Sequence, residues 1–178
     1  MKRVTLHDKT FELSIPEEEI LQAVNHVAAQ INKDYAGSEP VFLIILNGSF
    51  MFAADLLKKI DFNCETSFVK LASYAGTEST HCVRELLGVD ENLKGRRIII
   101  VEDIIDSGLT MEYLLGELKK IQPADVSIAT FLLKPDALTR DIRIDYVGIK
   151  IPNDFIVGYG LDYDGQGRNL PDIYKILP

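Results

Sequence analysis

The sequence predicts an α/β domain in which a central parallel sheet is flanked by helices. Two features lead to this prediction: strand-like and helix-like segments alternate along the chain, and the strand-like segments are continuous apolar runs. Such runs are expected where helices cover both faces of a sheet. The length of 178 residues suits a single domain.

The first helix is predicted to begin near Glu17. Residues 14–17, Ser-Ile-Pro-Glu, have the pattern of a capping box, and the run of glutamates at 17–19 favours the positive end of a helix dipole. The apolar residues that follow at helical spacing are Ile20, Leu21, Val24, Val27, Ala28 and Ile31. This stripe ends before Gly37, so the helix should end there and pack on a core.

A strand, a turn, a helix and a second strand are predicted next. Residues 41–46 form an uninterrupted apolar run and predict a buried strand. The sequence Asn-Gly-Ser at 47–49 is typical of a turn, and residues 50–60 favour a helix. Residues 66–71 then predict another strand.

The stretch from 72 to 93 breaks the pattern, because its centre is polar and small with no sustained period. We expect a long mobile excursion in which residues 83–89 are extended. A loop of this length in a compact domain is either a functional lid or a disordered segment. An ordinary surface loop is a further alternative.

The second half of the chain returns to alternating elements. Residues 96–101 predict the clearest strand, and a helical stripe runs from Met111 to Ile121. Residues 126–133 and 143–149 predict two further strands. The segment from 154 to 178 is rich in Gly, Tyr and Asp, and we expect it to form a small subdomain over the sheet.

Composition excludes several classes of protein. With 19 basic and 27 acidic residues, the formal net charge of −8 opposes non-specific attraction to nucleic acid or to an anionic membrane. The longest apolar run, at 41–46, is far too short to cross a bilayer, and no apolar stretch follows the basic start. The two cysteines, Cys64 and Cys82, do not have the CxxC spacing of a metal site or a redox-active pair. We therefore expect a cytoplasmic protein with free thiols and with neither nucleic acid nor a membrane as partner.

The residues between the strand at 96–101 and the next helix carry the clearest chemistry. In an open α/β sheet, ligands bind at this edge. Residues 106–110 place small side chains and two hydroxyls at a helix N-terminus, which attracts an anion. The neighbouring carboxylates would repel a bare phosphate unless they contact hydroxyls or a divalent cation. A phosphorylated sugar with Mg²⁺ therefore fits both the helix N-terminus and the carboxylates. The alternative is a solvated acidic loop with Asp106 as an N-cap.

Residues 101–111, Val-Glu-Asp-Ile-Ile-Asp-Ser-Gly-Leu-Thr-Met, resemble the phosphoribosyl pyrophosphate (PRPP) motif of the type I phosphoribosyltransferases. Further stretches resemble the hypoxanthine-guanine branch of that family, and they occur in the same order: 46–49, Lys70 with 73–74, 133–134, and 151–163 with 168–170. The PRPP motif alone defines a large family. The C-terminal block together with Lys134 is specific to enzymes that use 6-oxopurines.

The resemblance implies the type I phosphoribosyltransferase fold and a site for PRPP. It also implies a small hood over the sheet, formed by the N-terminal segment and roughly residues 152–178. The residues it assigns to PRPP and its phosphates are Asn47, Gly48, Ser73, Tyr74, Glu102, Asp103, Asp106, Ser107, Gly108, Leu109, Thr110 and Arg168. Asp106 would be the base at purine N7 as N9 attacks the sugar. Mg²⁺ is the implied cofactor, with Glu102, Asp103 and Asp162 as metal-binding residues. An ordinary surface loop is the alternative for Ser73 and Tyr74, which would otherwise close over PRPP.

The resemblance also implies a purine pocket formed by Lys134, Phe155, Ile156 and Asp162. Lys134 would donate to O6 of the base, which would exclude adenine because an exocyclic amine leaves that donor unpaired. Phe155 would stack on the base. The Ile156 carbonyl and Asp162 would accept from a guanine amino group. Taken alone, the position of Lys134 favours a surface lysine that reaches solvent, and for Phe155 a simple core residue is an equal alternative.

The function implied is a Mg²⁺-dependent transferase that makes IMP or GMP and pyrophosphate from PRPP and hypoxanthine or guanine. The resemblance further implies a homodimer or homotetramer and a non-proline cis peptide bond between Leu46 and Asn47. Where the family often has lysine, this chain has Asn47, and the tip of the excursion at 80–82 has no glycine. Two alternative functions remain. The protein would be either a regulator that senses PRPP and binds nucleic acid, or a receiver domain that accepts a phosphoryl group.

Overall fold

A computed structural model describes residues 2–74, 82–88 and 91–177. The helices are α1 (Glu17–Asp34), α2 (Phe50–Leu57) and α3 (Leu109–Ile121), with 3-10 turns at Glu91–Leu93 and Pro135–Ala137. The strands are β1 (Arg3–Leu6), β2 (Lys9–Ile15), β3 (Val41–Leu46), β4 (Glu65–Tyr74), β5 (Cys82–Leu87), β6 (Arg97–Ile105), β7 (Asp125–Leu133), β8 (Tyr146–Lys150), β9 (Ile156–Val157) and β10 (Ile173–Ile176). No helix within these ranges has the length and apolar character needed to cross a bilayer.

The larger sheet confirms the predicted fold class. Its strand order is β5-β4-β3-β6-β7-β8. Strands β4, β3, β6, β7 and β8 run parallel, and β5 pairs antiparallel with β4 at the edge. Because the strands are parallel, the carboxyl ends of β3, β6 and β7 meet at one edge of the sheet.

Burial on both faces of this sheet explains the apolar runs. Phe42 and Ile44 of β3 pack into the core beneath α1 and α2, whereas Leu43 and Ile45 pack against α3 on the opposite face. The middle of β6 is equally covered, since Ile98 to Val101 have no exposed surface. Neither strand therefore shows the polar alternation of a one-sided sheet.

A second, antiparallel sheet joins the two ends of the chain. Its order is β1-β2-β10-β9, so the N-terminal hairpin pairs with a strand close to the C-terminus. Phe11, Val157 and Tyr174 form a separate buried cluster in this sheet. The hairpin was not predicted, although apolar residues occupy every second position of both strands: Val4, Leu6, Phe11, Leu13 and Ile15.

Several predicted boundaries were wrong. Strand β6 continues to Ile105 instead of ending at 101, so the acidic residues at 102 and 103 are strand residues. Helix α2 ends at Leu57, three residues before the predicted end at 60, and β8 begins at Tyr146 instead of 143. Part of the predicted excursion at 72–93 is the pairing of β4 with β5. Residues 91–93 of the predicted excursion form a 3-10 turn, whereas 75–81 and 89–90 lie outside the described residues.

The predicted capping box at the start of α1 was also wrong. Ser14 belongs to β2, and Pro16 occupies the N-cap position without a side-chain cap. The backbone N–H of Glu17 instead donates to Asp172 Oδ1 at 2.9 Å, although 155 positions separate the two residues. Lys2 Nζ and the Tyr174 hydroxyl donate to Asp172 Oδ2 at 2.6 and 3.0 Å. One buried carboxylate thus joins both chain ends to the start of α1.

Replacing Asp172 with Ala is expected to lower the free energy of unfolding by about 1–3 kcal/mol, because one buried and two partly buried hydrogen bonds lose their acceptor. The Lys2 hydrogen bond holds the pKa of Asp172 below the ordinary carboxyl value. The carboxylate's contribution to stability is therefore complete above the ordinary pKa and is lost as pH falls through the lowered one. Chemical denaturation of the wild type and Asp172→Ala at pH 7 and pH 3 measures both effects.

The matched control is Asp141→Ala, which removes an exposed carboxylate. It should change the free energy of unfolding by less than about 0.5 kcal/mol. Equal losses of unfolding free energy in the two variants would contradict the role of Asp172 at the start of α1. A difference between Asp172→Ala and wild type that is as large at pH 3 as at pH 7 would contradict it too.

Candidate active site

A cavity of about 310 Å³ opens at the carboxyl edge of the parallel sheet. It lies where β3 and β6 end and α3 begins. The residues that line it are Ile45, Leu46, Gly48, Leu71, Glu102, Asp103, Ile104, Ile105, Asp106, Ser107, Gly108, Leu109, Thr110, Met111, Asp162 and Arg168. Every predicted site residue from 102 to 110 is therefore in one place, as expected for an open α/β sheet.

The turn from β6 into α3 presents a helix N-terminus to this cavity. Gly108 occupies the N-cap position, with a backbone in the left-handed region and no side-chain cap on the helix. The carbonyl of Ser107 accepts hydrogen bonds from the backbone N–H and the hydroxyl of Thr139, at 3.1 and 3.2 Å. The turn is thereby fixed with the first N–H groups of α3 available to an anion.

Glu102 and Asp103 place two carboxylates together at the end of β6. Glu102 is only 7% exposed, and Asp103 lines the cavity. Burial, followed by the charge of Asp103, raises the pKa of Glu102 well above its ordinary value, and burial also raises the pKa of Asp103. Their acceptor atoms are partly satisfied by backbone, since Asp103 N–H donates to Glu102 Oε1 and Ile104 N–H to Asp103 Oδ1. Hydroxyl donors or a cation would offset the remaining charge.

The turn after β3 approaches this acidic pair closely. The peptide bond between Leu46 and Asn47 is cis, as the resemblance implies. Gly48 lies against Asp103, and a Cβ added at position 48 would overlap Asp103 Oδ2. A side chain at position 48 would therefore displace the Asp103 carboxylate. Asn47 is exposed and does not line the cavity.

The C-terminal loop, comprising residues 158–168, brings Asp162 and Arg168 to the same cavity. Arg168 pairs with Asp162 Oδ1 at 2.6 Å and donates to the carbonyl of Gly160 at 2.7 Å. A Cβ at Gly160 would overlap the carbonyl oxygen of Gly48. The loop is therefore in direct contact with the turn that follows β3.

Lys134 is buried at the end of β7 and reaches the site through Asp106. Lys134 is 8% exposed, and its Nζ lies 3.0 Å from Asp106 Oδ2. Its backbone N–H donates to the carbonyl of Ile105, which holds the two strand ends together. The alternatives of a surface lysine at 134 and a simple N-cap at 106 are both wrong, because each side chain is the other's partner and Gly108 occupies the N-cap position.

The remaining predicted residues are not gathered at the cavity. Phe155 is 47% exposed and contacts Phe11 and Tyr163, and Ile156 belongs to β9 and packs into the core. The alternative of Phe155 as a buried core residue does not fit this exposure. Among the described residues, no group of three or more His, Cys, Asp or Glu side chains is placed to hold a metal ion. The side chains of Ser73 and Tyr74 lie outside the described part of the structure.

Some cavity residues were not identified from the sequence. Ile45, Leu46 and Leu71 line the cavity through the ends of β3 and β4, and Ile104 and Met111 flank the acidic pair and the helix start. Their apolar side chains look like ordinary core residues in a sequence. The predicted parallel order of the strands was the one signal that could have placed them at the ligand-binding edge.

Comparison with known proteins agrees with this geometry. A family model described as a phosphoribosyl transferase domain matches residues 15–164. The chain belongs to the phosphoribosyltransferase family. It is 44% identical over 173 residues to a hypoxanthine-guanine phosphoribosyltransferase of Lactococcus lactis subsp. lactis, covering 96% of this chain and 94% of the relative. Another of that description, from Streptococcus mutans, is 46% identical over 156 residues and covers 87% of each chain.

A solved structure shares the fold. The crystal structure of a hypoxanthine-guanine phosphoribosyltransferase from Bacillus anthracis, with a HEPES molecule in its active site, superposes with a TM-score of 0.88. The two chains are 40% identical, and the match covers 93% of this chain and 98% of the other. The expected type I phosphoribosyltransferase fold is thus confirmed, and the chain is an enzyme of this family.

Glu102→Gln is expected to stabilise the ligand-free phosphoribosyltransferase, because it removes one of two buried carboxylates that repel each other. The midpoint of thermal unfolding should rise by about 2–4 °C, the range for 1 kcal/mol in a domain of this size. Differential scanning calorimetry without ligand measures this change.

The control is Glu39→Gln, which neutralises an exposed carboxylate and should leave the midpoint within about 1 °C. A lower midpoint for Glu102→Gln than for wild type would show that the charge of Glu102 stabilises the ligand-free protein, which contradicts a repulsive acidic pair.

Proposed function

We propose that this phosphoribosyltransferase acts in purine salvage, transferring the 5-phosphoribosyl group from PRPP to N9 of hypoxanthine or guanine. The products are IMP or GMP and pyrophosphate. The observation that carries the proposal is the pairing of the buried Lys134 with the exposed carboxylate of Asp106, beside a helix N-terminus and an acidic pair. The relatives named above, at 44–46% identity over most of the chain, support the same substrates.

The 5′-phosphate would bind at the start of α3. Backbone N–H groups of residues 107–110 and the hydroxyls of Ser107 and Thr110 are the donors, and the helix dipole favours the anion. Asp106, Gly108 and Leu109 contribute backbone to the same turn. A phosphate placed here would bring the sugar towards β6.

The sugar hydroxyls would be bound by Glu102 and Asp103. Two buried carboxylates accept hydrogen bonds from the 2′ and 3′ hydroxyls, or bind Mg²⁺ through oxygen donors, which that ion prefers. Burial raises both pKa values, and such a ligand would offset that effect by favouring the charged carboxylates. When bound with PRPP, Mg²⁺ would neutralise charge on the pyrophosphate leaving group. Asp162 would support the ion through water.

The pyrophosphate would lie between the turn after β3 and the C-terminal loop. Gly48 offers backbone N–H at close approach, and Arg168 presents a planar fork of donors to phosphate oxygens. Asn47 supplies no positive charge where the family often has lysine, so Arg168 is the main cation proposed for this group. Ser73 and Tyr74 would close over PRPP and exclude water from the reacting carbon.

The purine would be recognised along its O6 and N7 edge. Lys134 donates to O6, and Asp106 takes the proton from N7 as N9 forms the bond to C1′ of the sugar. Phe155 would stack on the base. The Ile156 carbonyl and Asp162 would accept from a guanine amino group. Adenine offers a donor where Lys134 also donates, so it is excluded.

The wider setting is also part of the proposal. We propose one phosphoribosyltransferase domain with a hood built from the N-terminal segment and residues 152–178, where the antiparallel sheet lies. The protein is proposed to work in the cytoplasm as a homodimer or homotetramer. Its acidic balance argues against nucleic acid or a membrane as partner.

Incubation of the purified protein with PRPP, Mg²⁺ and one of four purines tests the function. Hypoxanthine and guanine should yield IMP and GMP, whereas adenine should be used at least about 10³-fold less efficiently because Lys134 would lack an acceptor. Xanthine is the fourth purine. Its rate relative to that of guanine shows whether the site accepts an oxygen in place of the amino group at C2 of the base. Failure of both hypoxanthine and guanine would refute the proposal, and tight salt-sensitive binding of nucleic acid by such an inactive protein would favour the regulator instead.

Asp106→Asn is expected to lower kcat by about 10²- to 10⁴-fold, because an amide cannot accept the N7 proton. Steady-state kinetics with hypoxanthine measures the loss, and circular dichroism checks the fold. Asp136→Asn, which changes an exposed carboxylate in the following 3-10 turn, should keep kcat within about two-fold. A turnover for Asp106→Asn equal to that of wild type would remove Asp106 from the chemistry.

A further inference from the structure

Tyr159 is an unusual residue of the C-terminal loop. It is 3% exposed and its backbone has a φ of 47°, in the left-handed region that bulky residues rarely adopt. Its hydroxyl donates to Asp55 Oδ2 of α2 at 2.8 Å, and its ring lies 4.9 Å from that of Phe131 on β7. Its backbone N–H donates to the carbonyl of Leu170 at 2.8 Å. The surrounding structure therefore holds Tyr159 in a strained conformation.

The residue after Tyr159 is in contact with the proposed pyrophosphate site. Gly160 approaches the Gly48 carbonyl so closely that no side chain fits, and its own carbonyl accepts from Arg168 at 2.7 Å. Asp55 lies on the helix that directly follows the Gly48 turn. Tyr159 and Asp55 thus tie together the two segments that border this part of the cavity.

We infer that Tyr159 and Asp55 form a positioning pair that sets the distance between Arg168 and the Gly48 turn, and so governs the handling of PRPP. This inference rests on the proposed function. Neither residue lines the cavity, so the pair acts through its neighbours and not on the substrate. A misplacement of about 1 Å in a binding group can lower the rate by roughly 10²-fold.

The Tyr159 hydroxyl is suited to a permanent donor role. Burial and the hydrogen bond to Asp55 raise its pKa above the ordinary tyrosine value, so it stays protonated. Asp55 also pairs with Lys58 at 2.7 Å through its other oxygen, Oδ1. The carboxylate is therefore held on two sides and gives Tyr159 a fixed partner.

The chain offers a matched control for this pair. Tyr146 is also buried, at 6% exposure, and its hydroxyl donates to Asp34 Oδ2 at 2.9 Å. That pair joins β8 to α1 at the amino end of the sheet strands, opposite the cavity. Tyr159→Phe and Tyr146→Phe each remove one buried tyrosine–aspartate hydrogen bond and leave the ring in place.

The test compares steady-state kinetics of wild type, Tyr159→Phe and Tyr146→Phe with PRPP and hypoxanthine, which has no amino group for Asp162 to contact. Tyr159→Phe should lower kcat/KM for PRPP by about ten-fold or more, within the range for a displaced binding group, and raise the KM for PRPP. The KM for hypoxanthine should change by less than about two-fold. Tyr146→Phe should leave both constants within about two-fold, although both variants lose thermal stability.

Variants of Asp55 give a second route to the same result. Asp55→Asn keeps an oxygen acceptor for Tyr159 and should stay within about three-fold of wild type, whereas Asp55→Leu should raise the KM for PRPP as Tyr159→Phe does. Lys58→Met controls for the ion pair and should have little effect. The double variant Tyr159→Phe/Asp55→Leu should be no worse than either single variant, as expected for two partners in one interaction.

The possible outcomes separate the inference from the proposed function. Absence of IMP from the wild type refutes the function itself. An active wild type with Tyr159→Phe indistinguishable from Tyr146→Phe, or with both KM values raised equally, overturns the positioning role. A selective rise in the KM for PRPP in Tyr159→Phe, or in Asp55→Leu where Tyr159→Phe does not fold, confirms it.

Discussion

The burial of two adjacent carboxylates at the end of β6 is the constraint on which the site depends. Glu102 and Asp103 have raised pKa values because protein surrounds them, and Arg168 is the cation whose charge acts on Asp103. Without a ligand, such an arrangement is unfavourable. In the proposed function, hydroxyls or a divalent cation that arrive with the substrate would make it favourable. A phosphorylated sugar bound there would thus relieve the electrostatic strain of the ligand-free fold.

Close contacts at two glycines carry this arrangement from one segment to the next. Gly48 lies against the Asp103 carboxylate on one side and against the backbone of Gly160 on the other, so three distant parts of the chain meet there. Asp172 performs a related task by joining both chain ends to α1. The antiparallel sheet and the C-terminal loop are therefore held to the parallel sheet by a few specific contacts.

Local and periodic signals predicted the parallel sheet but not the contacts between distant residues. The run at 41–46 has the same bounds as β3, because burial on both faces leaves a continuous apolar signature. The cap of α1 could not be found in the same way, since Asp172 lies far away in sequence and Ser14 offers a misleading local pattern. The hairpin at 3–15 was missed although its apolar residues alternate with polar ones, because Ser14 was assigned to the cap of α1 and not to a strand. The residues of the acidic turn were predicted correctly as a cluster, whereas Phe155 and Ile156 were assigned only by resemblance.

The most direct test of this binding mode is a crystal structure of the protein with a nucleoside monophosphate such as IMP. We expect the phosphate to bind at the N-terminus of α3 and the ribose hydroxyls to contact Glu102 and Asp103. We also expect O6 of the base to lie within hydrogen-bond distance of Lys134 Nζ. Density for the nucleotide elsewhere, with the turn at 106–110 and the acidic pair left without ligand, would contradict the proposed role of the buried carboxylates.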